Sequence, residues 1–314
     1  MTPIPFSDIA WLDNIDVPTT TEPPPPSPAA APDSDTFMQE RWANTIIKAL
    51  ESKEAPATPT PFREINDGLD GGLRAGEVCI VAGYTSHGKS IVVDQFADAA
   101  AAAGKRVHIY MTEMTAVQRG LRLLARRAGV PMRDLKRRTY NQHQAKRILD
   151  ALEHLPYGCS IVADWPVDRV VDHVREHKWD MAVVDLIHGF HYTDERDLSK
   201  TSSALVRAAK GWHPGTIVLA AAHLNDGQVR DQRSPKRPRP GLHSIKGTSS
   251  IKQDADVVMF VWRQDDEDGI PTPEAELWIA KNRDGGFAHT ELLLDPSRMQ
   301  FVARGLTTQA TEAA

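Results

Sequence analysis

Cysteine is nearly absent from this chain of 314 residues: there are 2, Cys79 and Cys159, and neither has a C-x-x-C partner. A disulfide framework or a cysteine zinc site is therefore not expected. No stretch approaches the ~18 consecutive apolar residues of a membrane span. The N-terminus opens on Pro, Ser and Asp rather than Lys or Arg, which argues against a secretory leader. The expected compartment is the cytoplasm, that of a host cell if the source is viral. A dominant charge of one sign is also lacking. With 37 Lys+Arg against 42 Asp+Glu the net charge is -5. Such a chain does not coat nucleic acid through bulk charge, so any such contact must come from local basic patches. The 41% hydrophobic and 25% charged fractions are ordinary for a soluble globular protein, with room for one large α/β domain or two small ones.

What is present is a phosphate loop. Gly83-Tyr84-Thr85-Ser86-His87-Gly88-Lys89-Ser90 satisfies G-x-x-x-x-G-K-[ST]. An apolar run, Val78-Cys79-Ile80-Val81-Ala82, precedes it and reads as a buried strand, and Ile91 to Ala103 follows with helical spacing. Strand, glycine loop and helix form an anion trap, because free backbone N–H groups and the helix dipole hold phosphate oxygens. Lys89 is expected to reach the β- and γ-phosphates and the Ser90 hydroxyl to ligate Mg²⁺. The implied ligands are ATP, or a similar nucleotide, and Mg²⁺.

Around this loop the chain falls into parts. Residues 1–34 read as an acidic, proline-rich arm that builds no core. Its apolar residues, Trp11 among them, make either a docking peptide or a frayed terminus. Within 35–61, Asp35 to Ser52 reads as a helix with Met38, Trp42, Ile46 and Leu50 in one stripe, for packing on its own domain or on a neighbouring subunit. Residues 62–303 alternate strands and helices, which implies a parallel sheet. Strands are expected at Glu77–Ala82, Val107–Met111, Ser160–Ala163, Met181–Asp185, Thr216–Ala221 and Asp256–Trp262, with helices between them. Ala275–Ala280 and His289–Leu294 look like an antiparallel hairpin. The last residues, 304–314, form a tail.

Hydrolysis needs a second acid for the metal's water shell and a base for the attacking water. Asp185 ends the apolar strand Ala182-Val183-Val184 and Glu113 directly follows another, although each alone is a common strand-end residue. His223 ends a third strand, where it either senses the γ-phosphate or is an ordinary core-edge histidine. Beyond it, Arg230, Arg233, Lys236, Arg237 and Arg239 form the strongest basic cluster of the chain. Either that is a solvated loop, or it contacts a nucleic-acid backbone.

Taken together, these motifs resemble the RecA-like motor domain of DnaB-type replicative helicases. The resemblance runs from about Phe62 to Val302 and includes Gly68-Leu69-Asp70-Gly71-Gly72, Thr112-Glu113-Met114 and Val184-Asp185-Leu186. Its most specific part is Ile251-Lys252-Gln253-Asp254-Ala255-Asp256; it ends on Lys281-Asn282-Arg283-Asp284-Gly285, which by spacing alone reads as an exposed hairpin turn. It implies a P-loop NTPase with a twisted, mainly parallel sheet flanked by helices, and a hexameric ring that unwinds DNA with 5′-3′ polarity. By resemblance, Glu113 is the catalytic base and Asp185 holds Mg²⁺ through water. Lys281 and Arg283 reach the γ-phosphate of the adjacent subunit, and Lys246 contacts DNA. Implied partners are single-stranded and forked DNA, with a primase or helicase loader on the N-terminal arm. The family's usual Gln is His223 here, the Arg-Glu pair of its DNA loop is Lys246-Gly247, and its helical N-terminal domain has no counterpart. Alternatives are a recombination ATPase of the RecA or RadA type and an ATP-gated loader or scaffold.

Overall fold

A computed structural model describes residues 43–44, 46–47, 57–190, 195–212, 215–225, 236–247 and 249–304. The chain divides into two units, Met1–Ala55 and Pro56–Ala314. In the first unit, residues 43–44 and 46–47 are helical. The expected arm, Trp42 and residues 305–314 of the expected tail lie outside the described residues.

The second unit opens with helix α1 (Arg63–Gly68) and strand β1 (Val78–Gly83), then α2 (Lys89–Ala102) and β2 (Val107–Met111). Three helices follow, α3 (Ala116–Arg127), α4 (Met132–Arg137) and α5 (Gln142–Glu153), before β3 (Gly158–Ile161), α6 (Val167–His177) and β4 (Met181–Val184). Next come α7 (Glu195–Lys210), β5 (Ile217–His223), α8 (Ser249–Asp254) and a run of strands: β6 (Val257–Asp265), β7 (Pro271–Asn282), β8 (His289–Asp295) and β9 (Gln300–Ala303). They form one nine-stranded sheet in the order β3-β2-β4-β5-β1-β6-β7-β8-β9. From β3 to β6 every neighbouring pair is parallel; β6, β7, β8 and β9 pair antiparallel.

The central strands are continuous apolar runs because helices cover both faces of the sheet. β1 shows this alternation within itself. Cys79 and Val81 point into a core with Phe96, Ala97 and Ala100 of α2. Ile80 and Ala82 point the other way, among Val170 and Val174 of α6 and Leu205 and Ala208 of α7. Register then fixes the site. Gly83, the first loop residue, lies opposite His223, and Val184, the residue before Asp185, lies opposite Ala220 and Tyr110. All these strand ends form the carboxyl edge of the parallel sheet, where ligands of open α/β sheets bind.

The expected hairpin is present but belongs to a larger antiparallel extension that starts at β6 and ends at β9. Strand β3 lies two residues earlier than expected.

Candidate active site

Helix α2 starts on Gly88, which has φ 98°, and no side chain caps it. Its first-turn N–H groups therefore face the loop. Only glycine fits at Gly88: beside the positive φ, a Cβ would lie 2.5 Å from the Phe301 ring on β9. Lys89 is buried, and its Nζ donates to the Tyr84 carbonyl at 3.0 Å, which folds the amine over the loop. Beside it lies a cavity of about 380 Å³ lined by Ser86, Gly88, Lys89, Ser90, Arg122 and Arg263.

The loop is clasped from beneath by the start of the antiparallel extension. The His87 side chain is fully buried; its Nδ1 accepts from the Arg263 N–H at 2.9 Å, and its Nε2 is 3.7 Å from Asp265 Oδ1. Burial lowers the His87 pKa to about 3, with Arg237 adding to the effect. Arg263 donates to the Ser86 carbonyl at 3.0 Å. Arg237 donates through Nε and Nη2 to Asp265, each at 2.8 Å, and through Nη1 to the Thr85 carbonyl at 3.2 Å.

Asp185 is buried at the end of β4, and neither carboxylate oxygen has a hydrogen-bond partner among the described residues. Arg119 of α3 stands within 3.0 Å of its Oδ2 as an ion pair. The same guanidinium holds Asp94 of α2, which also meets Arg126 at 3.3 Å; Arg126 in turn holds Asp98 at 2.8 Å. Burial opposes the Arg119 charge, but Asp94 and Asp185 outweigh it and raise the pKa above the ordinary arginine value. Glu113 is exposed, with Oε1 3.9 Å from His223 Nε2. Burial, followed by the nearby charges of Lys89 and Lys246, lowers the His223 pKa to about 4, so this is a contact with a neutral ring at pH 7.

The expected residues thus divide. The loop Gly83 to Ser90, Asp185, Glu113 and His223 meet at one edge. Lys281 and Arg283 do not. Lys281 Nζ donates to the carbonyls of Lys252, Gln253 and Ala255 at 2.7, 3.1 and 2.6 Å, closing the end of α8. Arg283 binds Asp256 Oδ1 at 2.8 Å, and the other oxygen of Asp256 accepts from the Val78 N–H at 2.9 Å. Both cations therefore lie at the amino end of β1. The phosphate loop is at its carboxyl end, five residue steps or about 17 Å away.

The basic cluster divides as well. Arg230 and Arg233 lie outside the described residues. Lys236 and Lys246 are exposed, and Arg239 is half-exposed, 3.0 Å from Glu276 and stacked over Trp278. Arg237 departs from the expected surface role: its guanidinium is buried and occupied by Asp265 and the phosphate loop. Sequence reading missed Asp94, Arg119, Arg126, Arg263 and Asp265. Asp94 left one trace, an acid amid Ile91-Val92-Val93 and Phe96; the others left none, because their partners are distant in sequence.

A family model described as the DnaB-like helicase C-terminal domain matches residues 58–303. The chain belongs to that family. Among curated relatives, the replicative DNA helicase DnaB of Leifsonia xyli subsp. xyli is 29% identical over 256 residues, 76% of this chain and 54% of the relative. The DnaB of Geobacillus stearothermophilus is 27% identical over 275 residues, 82% of this chain and 59% of the relative. The chain thus spans a little over half the length of these family members. A DnaB-like replicative helicase, solved in a study of its interactions with primase, superposes with a TM-score of 0.70 at 20% identity, covering 84% of this chain and 66% of that one. A second solved structure, an ATPase domain, gives a TM-score of 0.69 at 19% identity, covering 87% of this chain and 99% of its own. These neighbours establish the family's RecA-like ATPase fold, with its parallel core and antiparallel end. Nucleotide binding follows from family and loop together. Among the described residues, no helix is long and apolar enough to cross a membrane.

Proposed function

We propose that this chain is an ATP-driven DNA helicase motor whose hydrolytic site is shared between two copies. The supporting observation is the separation of Lys281 and Arg283 from their own phosphate loop. Two cations at the wrong end of β1 cannot serve that loop, yet Arg283 is half-exposed and so can face a neighbour. A heterologous contact repeated around an axis closes a ring, and the family favours a hexamer.

The donor set fits Mg²⁺: a hydroxyl at Ser90 and the buried Asp185 carboxylate, with Oδ2 ion-paired to Arg119 and Oδ1 without a hydrogen bond among the described residues, suit a hard cation that keeps several waters. When bound, Mg²⁺ neutralises developing charge on the β- and γ-phosphate oxygens. The protein's own groups do the rest. The loop amides and the start of α2 orient the phosphates, and Lys89 exchanges the Tyr84 carbonyl for phosphate oxygen. Arg119 keeps the Asp185 carboxylate aimed, and Glu113 accepts the proton of the attacking water. His223, neutral and beside Gly83, hydrogen-bonds near the γ-phosphate. Arg283 of the neighbouring copy, with Lys281, stabilises the charge of the transferring group.

Lys246, Lys236 and Arg239 contact the backbone of single-stranded DNA, and by sequence Arg230 and Arg233 are further candidates for that contact. The N-terminal arm is the docking segment for a primase or a loader. Family membership favours this reading over a recombinase or a scaffold. DNA-stimulated ATPase and unwinding of a 5′-tailed fork test it. Lys89→Ala and Arg283→Ala are each expected to lower both rates by about 10³-fold, the scale of a lost phosphate clamp or arginine finger. Full ATPase activity in Arg283→Ala would remove the shared site.

A further inference from the structure

His188 lies on the turn Ile187–Gly189 after β4, outside the hydrolytic chemistry described above, yet both its ring nitrogens are engaged. Nδ1 accepts from the backbone N–H of His223 at 3.3 Å, and Nε2 donates to the Lys246 carbonyl at 2.9 Å. A backbone amide only donates and a carbonyl only accepts, so the two contacts select one neutral tautomer, protonated on Nε2. Burial lowers the His188 pKa and favours that neutral form.

The segments that meet at this ring come from different parts of the motor. The end of β5 and the Lys246 segment pair as a short ribbon: the Lys246 N–H donates to the His223 carbonyl at 2.9 Å, Leu224 bridges Ile245, and the Asn225 N–H donates to the Ser244 carbonyl at 2.8 Å. Backbone pairing joins the two strands of this ribbon to each other. One strand of it carries His223 beside Gly83 and Glu113; the other carries exposed Lys246, directly across from His223. Gly247 continues it at φ 96°, where any Cβ would run into Leu198, so the loop leaves the ribbon in a fixed direction. His188 is the side chain that fastens both strands of the ribbon to the turn behind Asp185.

We propose that His188 is a positioning residue that docks this ribbon on the Asp185 turn, so that the nucleotide state at Asp185 and His223 sets the placement of the Lys246 loop on DNA. The inference rests on the reading of Lys246 as a DNA contact. It predicts a coupling free energy between two sites, with the ribbon as the two-position element.

The test uses the full chain and a fluorescein-labelled oligothymidine, with anisotropy read in Mg²⁺ plus ADP and in Mg²⁺ plus a non-hydrolysable ATP analogue. For the wild type, the two DNA dissociation constants are expected to differ by about 5- to 150-fold, the usual span of allosteric coupling. His188→Asn keeps an acceptor near the Nδ1 position but is too short to reach the Lys246 carbonyl. It should bring the two constants together, with affinity for a fluorescent ADP analogue and nucleotide-free DNA affinity unchanged. His188→Gln keeps an N–H at the reach of Nε2 and should retain most of the wild-type difference. The inference is overturned if His188→Asn keeps the full difference, if His188→Gln loses as much as His188→Asn, or if His188→Asn weakens nucleotide binding itself. A wild type that binds DNA equally in both states also overturns it, but leaves the motor reading standing. A wild type that binds no DNA in either state refutes the motor reading itself.

Discussion

At pH 7 the imidazoles of His87 and His223 are uncharged, and burial is the main reason for both. His87 is pushed to about 3 beneath the phosphate loop, His223 to about 4 at the tip of β5, and His108 in the core of β2 to about 4. In the unfolded chain each returns to the ordinary value of 6.5. Between the two values the unfolded state binds more protons, so stability rises with pH through that window. Their contribution is fully present above pH 6.5 and is lost as pH falls toward 4 and then 3. His87→Asn keeps an acceptor for the Arg263 N–H without titrating. Its unfolding midpoint, followed by circular dichroism from pH 7 to 4, is expected to fall less steeply than that of the wild type. Equal slopes would mean that His87 titrates freely in the folded chain.

The unit at the scale of elements is the strut that β6 makes for the phosphate loop. Asp265, fully buried, is held by Arg237 from the segment after β5, and Arg237 also holds the Thr85 carbonyl. Removing one partner of such a buried pair leaves an uncompensated charge and costs about 3–5 kcal/mol. Arg237→Ala is therefore expected to lower unfolding stability in urea by that amount and to weaken nucleotide binding. Lys236→Ala, one residue away and exposed, should instead weaken DNA binding and reduce its salt dependence. If Arg237→Ala behaved like Lys236→Ala, Arg237 would belong to the DNA path after all.

What was legible in the sequence follows from the same geometry. Gly83 to Ser90, Glu113, Asp185 and His223 could be found because each ends or follows an apolar run, and a parallel sheet brings such ends together. The Arg237–Asp265 clasp, the Arg119 bridge between Asp94 and Asp185, and the His188 pin join residues 25 or more apart in sequence, with no period to betray them. Short elements were lost for a related reason. β9 has four residues and α1 six, too few for a repeat to register, although Phe301 of β9 is what packs against Gly88.

At the scale of the whole molecule, the phosphate loop and the Lys281–Arg283 pair sit at opposite ends of β1 in one copy. An isolated copy is therefore expected to hydrolyse ATP poorly, with assembly creating the site. The most direct test mixes two inactive proteins. Lys89→Ala lacks a working loop but keeps Arg283; Arg283→Ala lacks the finger but keeps the loop. In an equal mixture, allowed to exchange subunits, about a quarter of the contacts of a head-to-tail ring join an intact loop to an intact finger. DNA-stimulated ATPase activity should then rise clearly above the sum of the two proteins assayed separately. If the mixture hydrolyses no faster than that sum, while gel filtration shows that the variants co-assemble, the two halves do not meet between copies.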